Sequence, residues 1–365
     1  MGLSMGIVGL PNVGKSTLFN AITNNNIEAS NFPFCTIDPN KGMVSVPDDR
    51  LQVLSKITKS KKVISAVMEF IDIAGLVKGA SKGEGLGNKF LANIREVSAI
   101  VHVVRCFEND DIVHVDGSVN PVRDIDVIHT ELVLSDVEQC EKAIDNQHKK
   151  TRHNDTLEVQ RMGVLKQCLD ALSQGKALRG LVSSADLELI KEYNFLTLKK
   201  VVYLCNVSES DLGTTNDYVK QVQAYVAEHD AGAEVLQLSA NFEHELSTLS
   251  EEDQVEFLSE YGLTASGLSL LARTSYKLLG LETFLTSGEQ ETRAWTIPVG
   301  TTAPKAAAEI HTDFERGFIR ANVIHYSKFV DLGGFKQAKE QGVMRQEGKE
   351  YIVQDGDIVE FLFNV

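Results

Sequence analysis

Gly9-Leu10-Pro11-Asn12-Val13-Gly14-Lys15-Ser16-Thr17 fits the pattern G-x-x-x-x-G-K-[ST]. The apolar run Leu3 to Val8 before it reads as a short strand, and Ser16 to Thr23 after it reads as a helix. Glycines in such a turn let successive backbone N–H groups point inward and form a nest for phosphate oxygens. The helix start adds its positive dipole end. Lys15 is expected to reach the β- and γ-phosphates, and the Ser16 hydroxyl to ligate Mg²⁺, within a cradle of Asn12, Val13, Gly14 and Thr17. A chance glycine turn is the bland alternative; a strand before and a helix after favour a nucleotide site.

Outward from this loop, short β-rich apolar runs recur at Ala66 to Ile73, Ala99 to Cys106, Lys200 to Cys205 and Glu234 to Leu238, with helical patterns between them. That alternation predicts an α/β fold, a doubly wound and mostly parallel sheet covered by helices on both faces. One long segment breaks the rhythm. From Ile125 to His148 the apolar residues fall at 125, 128, 132, 133, 137, 140 and 144, which is helical spacing. A polar stretch, His148 to Asp155, follows, and a second helical pattern carries Leu157, Met162, Leu165, Cys168, Leu169 and Leu172. Two helices joined by a short polar turn make an inserted antiparallel hairpin. After Leu281 the pattern becomes β-α-β, with strands at Trp295 to Val299, Phe318 to Val323 and Tyr351 to Phe363 and a helix at Ala303 to Ile310. The expected regions are therefore 1–124 with 197–280 for nucleotide binding, 125–196 for the hairpin, and 281–365 for a small C-terminal domain.

Composition bounds the remaining choices. The 365 residues are 43% hydrophobic and 24% charged, which argues against a disordered chain, a rod or a collagen-like repeat. No stretch approaches the ~20 apolar residues that span a bilayer. The N-terminus has neither a basic n-region nor a small-residue cleavage site, so a cytoplasmic protein without a membrane partner is expected. Five cysteines, scattered without a C-x-x-C, argue against a disulfide framework or a zinc site; Cys35 stands apart because its surroundings look functional. Thirty-six Lys and Arg against 51 Asp and Glu give a net charge of −15. That disfavours tight nucleic-acid binding by the molecule as a whole and leaves room for a local basic face.

Two further motifs lie in order behind the first. Asp72-Ile73-Ala74-Gly75 ends a predicted strand and fits D-x-x-G, where a carboxylate holds the magnesium shell and the glycine N–H bonds the γ-phosphate. Alone it is weak, because Asp after a strand is commonly a turn residue. Between the two motifs, in Asn31-Phe32-Pro33-Phe34-Cys35-Thr36-Ile37-Asp38, Thr36 is the natural second hydroxyl for Mg²⁺. The five glycines from Gly75 to Gly87 suit a loop that orders with the γ-phosphate.

At this point the chain closely resembles the YchF-type proteins, a branch of the Obg-related P-loop nucleotidases. The resemblance rests on GLPNVGKST, on NFPFCT with Thr36, on Asp72 to Glu96 and on Cys106 to Ile125, and it runs the length of the chain. It implies a C-terminal β-grasp domain of the TGS kind, nucleotide hydrolysis, and association with ribosomes. GTP-specific relatives carry Asn-Lys-x-Asp after the fourth strand, where this chain has Asn206-Val207-Ser208-Glu209. Val207 cannot supply the Lys contact, and Glu209 is one methylene longer than the guanine-reading Asp. Losing a paired polar contact costs discrimination by factors of hundreds. The Asn206 amide complements adenine N6 and N7. ATP is therefore expected over GTP, as in YchF-type proteins. Ser239-Ala240-Asn241 matches the position where relatives place Ser-Ala-Lys beside base and ribose. Bland readings of these residues are a helix cap at Ser208 and a turn residue at Ser239.

Lys15, Thr36 and Gly75 are the expected catalytic residues, and Ser16, Thr36 and Asp72 the expected metal ligands. Leu76 stands where Ras-type GTPases place a water-orienting Gln, so unaided turnover should be slow. Asn12 occupies the P-loop position at which some relatives hold K⁺, so a response to K⁺ is expected. His114 and Arg95 are assigned no catalytic role. Lys142, Lys149, Lys150, Arg152 and Arg161, with His148 and His153, gather positive charge near the hairpin tip, which suits either solvent or RNA. Residues 281–365 carry nine Lys and Arg against 13 Asp and Glu and give no electrostatic support for RNA of their own. The expected function is a monomeric, Mg²⁺-dependent ATPase that switches its affinity for the ribosome. The alternatives are an ATP-dependent regulatory protein whose hydrolysis is incidental, and a GTP-specific GTPase.

Overall fold

The computed structural model describes residues 3–24, 40–74, 86–112, 114, 117–150 and 156–364. They fall into two compact units. The first holds the described residues of 1–26, 37–43 and 69–268; the second holds 44–68 and 269–364. Twelve strands are described: β1 Ser4–Val8, β2 Lys41–Ser45, β3 Lys62–Ile64, β4 Val67–Asp72, β5 Ala99–Arg105, β6 Val201–Asn206, β7 Glu234–Leu238, β8 Leu281–Ser287, β9 Glu291–Pro298, β10 Phe318–His325, β11 Arg345–Glu347 and β12 Asp357–Phe363. They form two six-stranded sheets.

The first sheet runs β2-β4-β1-β5-β6-β7. β1 pairs in parallel with β4 and β5, β5 with β6, and β6 with β7, as the α/β pattern requires. Every residue of β1, β5 and β6 is buried, because helices cover both faces of the middle of the sheet and leave no solvated side. That is why these strands read as unbroken apolar runs. The edge strand β2 instead alternates exposed and buried residues. Six helices precede the fourth core strand β6. They are α1 Lys15–Asn24, α2 Asp49–Thr58, α3 Leu86–Glu96, α4 Pro121–Lys150 and α5 Thr156–Ser173, followed by the short α6 Ser184–Ile190.

α4 and α5 are the hairpin expected from the spacing. Val133, Cys140 and Ala143 of α4 pack on Val164, Leu165, Cys168 and Leu172 of α5, and Leu178, Ile190 and Phe195 close the cluster. The thirty residues of α4 span about 45 Å at 1.5 Å each. A buried carboxylate fastens this helix to the chain returning toward β6. Asp136 accepts from the N–H groups of Leu196 (2.9 Å) and Thr197 (2.7 Å) and from the Thr197 hydroxyl (2.8 Å).

The second sheet runs β11-β10-β12-β8-β9-β3. β8 and β9 form an antiparallel hairpin, β12 lies parallel to β8, and β10 runs antiparallel to β12. Helix α11, Ala303–Ile310, lies on one face, where Ala303, Ala306 and Ala307 let it approach Phe284, Ile297, Phe318, Val359 and Phe361 closely. This is the β-grasp arrangement. Strands β2, β3, β8 and β11 were not anticipated, and of these β3, from residues 62–64, pairs in parallel with β9. Its sequence neighbours placed it with the nucleotide-binding region. The partner lies more than two hundred residues away, and local pattern carries no information about such pairing.

Four more helices complete the part of the chain that joins the sheets in sequence: α7 Asp217–His229, α8 Ala240–Leu246, α9 Glu251–Glu260 and α10 Gly267–Leu278. The α10 N-terminus is capped from a distance. Glu243 of α8 accepts from Gly267 N (2.6 Å) and Leu268 N (3.2 Å). Gly267 is required there, since a Cβ would lie 2.6 Å from the Leu238 side chain. Burial pushes the Glu243 carboxyl up to about 7, against the pull of the two backbone N–H bonds.

The sign of the resulting pH dependence is fixed. Between the ordinary value of 4.5 and about 7 the folded protein keeps a proton that the unfolded chain has released. Stability from this group is therefore full below pH 4.5, falls as pH rises to about 7, and is flat above. Relative to Glu243→Gln, which cannot titrate, the wild type should lose on the order of 3 kcal/mol across that window. Urea unfolding of both proteins at several pH values measures it; parallel pH profiles would rule the linkage out.

Candidate nucleotide site

The carboxyl ends of the parallel strands converge on one edge of the first sheet, which is where open α/β sheets bind ligands. Register places them. Ile7 pairs with Asp72, Arg105 with Asn206, and Asn206 with Leu238. The turn after β1 therefore has Asp72 on one side and the ends of β5, β6 and β7 on the other.

That turn has the torsions a phosphate cradle needs. Asn12 and Gly14 both adopt positive φ, 62° and 93°. A Cβ at Gly14 would lie 2.1 Å from the Asn206 side-chain nitrogen, so only glycine fits. Val13 is buried beneath the loop, Ser16 is exposed at the start of α1, and Thr17 is half-buried. α1 is held in place by Leu18, Phe19, Ala21 and Ile22, all buried. The Lys15 ammonium contacts a carboxylate oxygen of Asp72, with side chains 12% and 24% exposed. A cation and a hard oxygen donor thus share the mouth of the cradle. Thr36, Cys35, Gly75 and Leu76 lie outside the described residues, as does the glycine run as far as 85.

The residues expected at the base carry structure. The Asn206 side-chain nitrogen donates to the Val13 carbonyl (2.9 Å), and its oxygen accepts from Ala240 N (2.9 Å). One side chain thus ties the phosphate loop to the turn before α8. Val207 is buried, and its N–H donates to Leu238 (2.9 Å). Ser239 caps α8, its buried hydroxyl accepting from Phe242 N (3.4 Å). Ser208 occupies a cap position without acting as one. Its hydroxyl lies 2.9 Å from an Asp211 carboxylate oxygen, which also accepts from Asn216. Glu209 is half-buried in the 3₁₀ turn Glu209–Asp211, and its carboxylate makes no hydrogen bond among the described residues.

Other polar residues are spoken for. His114 is buried on Asp124 (2.9 Å), and Arg95 fastens α3 to α4 through Gln139 (2.6 Å) and Ser135 (3.0 Å). Both serve the fold. Arg161 departs from the basic-tip expectation. It is mostly buried, donates to the Leu189 carbonyl (2.9 Å) and pairs with Glu158 (3.1 Å). Lys142 is paired with Glu138 (2.7 Å) one turn away. Arg105, at the end of β5, went unremarked in the sequence. The signal was available: one arginine inside the apolar run Ala-Ile-Val-His-Val-Val-Arg.

The comparisons agree with this fold. Residues 4–134 match the family model described as 50S ribosome-binding GTPase, and residues 281–364 match YchF-GTPase_C, described as a protein of unknown function. Over the full length of both chains, 53% of residues are identical to the protein named Ribosome-binding ATPase YchF from Pasteurella multocida (strain Pm70). The chain belongs to the YchF family. The Bacillus subtilis (strain 168) YchF of the same name is 49% identical, again over the whole of both chains. The solved Schizosaccharomyces pombe YchF GTPase superposes with a TM-score of 0.89 at 38% identity, covering 99% of this chain and 97% of that one. The fold is accordingly a P-loop α/β domain carrying an inserted helical hairpin and a C-terminal β-grasp domain, as in that YchF family structure. Among the described residues no helix is long and apolar enough to cross a membrane.

If Asn206 is the strut of this edge, its loss leaves two buried backbone groups without partners. Asn206→Ala should then cost about 3 kcal/mol in unfolding free energy, whereas the exposed Ser210→Ala should cost next to nothing. A loss below about 1 kcal/mol by urea titration would show that the tie is dispensable.

Proposed function

We propose that the protein is a Mg²⁺-dependent ATPase that hydrolyses ATP to ADP and phosphate and works in the cytoplasm as a nucleotide-dependent switch on the ribosome. The observation that carries this reading is the mouth of the cradle. Lys15 and Asp72 meet there beside backbone N–H groups of a positive-φ loop. The full-length relatives named Ribosome-binding ATPase YchF support the choice of nucleotide and partner. We assign the chain three working regions, 1–124 with 197–280, 125–196, and 281–365, and expect a monomer.

Lys15 neutralises charge on the β- and γ-phosphates, and the N–H groups of Val13, Gly14, Ser16 and Thr17 orient them. Ser16 and Asp72 offer hydroxyl and carboxylate oxygens, the hard donors that suit Mg²⁺, with Thr36 as a further hydroxyl. Held by these oxygens, Mg²⁺ would supply positive charge to the phosphate oxygens. Gly75 contributes an N–H to the γ-phosphate. Leucine at 76 neither donates nor accepts, so water activation falls to groups outside that position and turnover alone is slow. That leucine also favours a second reading, a regulatory ATP binder whose hydrolysis is incidental. At the base end Val207 removes the lysine on which guanine readers depend. Asn206, its amide half committed to bracing, keeps one N–H and one lone pair for an adenine edge. Ser239 and Ala240 frame that end, and Glu209 lies at its rim.

Calorimetry with ATP and GTP in parallel tests the base choice: ATP should bind at least about tenfold tighter, and tighter GTP would overturn it. Turnover measured with and without ribosomes, in K⁺ and in Na⁺, separates the readings. Stimulation by ribosomes supports a switch, and faster turnover in K⁺ supports ion binding at Asn12.

RNA contact through the hairpin rests on Lys149, Lys150 and Arg152, since Lys142 and Arg161 already face carboxylates. Reversing those three to Glu should weaken ribosome co-sedimentation in a salt-dependent way. Unchanged co-sedimentation across a salt series would remove the hairpin as the contact.

A further inference from the structure

Arg105 heads the fully buried side chains by size, only 1% exposed at the carboxyl end of β5. A guanidinium this deep is expensive unless its donors are satisfied, and a carboxylate is the usual partner. Among the described residues, every hydrogen bond of this side chain goes to a backbone carbonyl of the loop that follows. Nε donates to Phe107 (3.1 Å), Nη2 to Asn109 (3.2 Å) and Nη1 to Ile112 (3.0 Å). The cation also lies 4.8 Å from the centre of the Phe107 ring. Three donors of one rigid fork thus set the path of residues 106–112 from inside.

The same loop is tied from outside to the Asn206–Asp211 segment. Cys106 N donates to the Asn206 carbonyl (2.8 Å). Asn216 Nδ2 reaches both the Cys106 carbonyl (2.8 Å) and Asp211 (2.9 Å). Tyr218, on the surface, donates to Glu108. β5 and β6 end level with each other, Arg105 opposite Asn206. A shift of one loop is therefore transmitted to the other.

We propose that Arg105 is a positioning residue for the nucleobase: by holding three carbonyls it fixes the 106–112 loop against the Asn206–Asp211 segment and so sets the base end of the site. The inference rests on the nucleotide-site reading above. It assigns Arg105 no contact with substrate. Removing the fork should weaken what the base contributes to affinity more than it weakens the triphosphate cradle, which this segment reaches through the Asn206 side chain.

The test compares affinities for ATP, GTP and inorganic tripolyphosphate by calorimetry in the full-length protein and in Arg105→Met, Arg105→Lys and Tyr218→Phe. Tripolyphosphate probes the cradle without a base. Arg105→Met should lower the ratio of ATP to tripolyphosphate affinity about tenfold. Arg105→Lys, one donor centre in place of a fork, should lower it less. Tyr218→Phe loosens the same loop from the surface and should lower it about twofold while the protein melts as wild type. If Arg105→Met does not fold, the other two variants carry the measurement. Ratios unchanged in the folded variants, or ATP and tripolyphosphate weakening in parallel, would overturn the inference. The ATP-to-GTP ratio of the wild type is read separately. Tighter GTP there would sink the ATP assignment and still leave the Arg105 comparison decisive.

Discussion

A single carboxamide holds the nucleotide edge together. Asn206 donates to Val13 in the phosphate loop and accepts from Ala240 at the head of α8, so loop, β6 and α8 cannot move independently. The contact is so close that Gly14 has no room for a side chain. A flexible glycine loop would otherwise lose much conformational entropy on organising around phosphate. Bracing it from a buried strand end removes most of that cost in advance. The positive φ angles of Asn12 and Gly14 persist because their surroundings over-determine them.

The same logic of burial decides what the sequence reveals. β1, β5 and β6 are covered on both faces, so their residues must be apolar throughout, and each is visible as an uninterrupted run. The hairpin is visible for a related reason: two amphipathic helices that pack on each other must repeat apolar residues at helical spacing. β3 has neither signature. Three residues long and paired with β9 far along the chain, it is defined by its partner. The phosphate loop was legible because its chemistry lies in nine consecutive residues. The proposed base end draws on positions near 105, 206, 216 and 240, whose polar groups bond to one another or to nearby backbone inside the protein. Sequence order marked Asn206 and Ala240 as important while concealing that they bond to each other.

Net charge misleads in the same way. Many carboxylates in this acidic chain perform internal work. Asp136 pins the return from the hairpin, Glu243 caps α10, and Asp211 joins Ser208 to Asn216. In the C-terminal unit Asp355 accepts from Thr283 N (3.0 Å) and holds Arg50 (2.7 Å), and Asp357 accepts from Gln354 N (3.0 Å). A carboxylate that accepts backbone N–H bonds is part of the scaffold and contributes little field at a distance. The whole-molecule sum of −15 therefore says less about partners than the sign and exposure of particular groups.

Arg105 is the converse case, a positive charge that never reaches the surface. Counted with the basic residues, it would argue for an acidic partner; located in the fold, it is neutralised by carbonyl dipoles of its own loop. Carbonyls are a less demanding counter-charge than a carboxylate, because their position follows from the backbone and costs no second buried ion. They also make the arrangement reciprocal. The loop gives the cation its environment, and the cation gives the loop its shape, so neither is stable in that form alone. A side chain of this kind selects one loop conformation from many, which is what a site needs if it is to distinguish two purines of nearly equal size by the placement of a few polar groups.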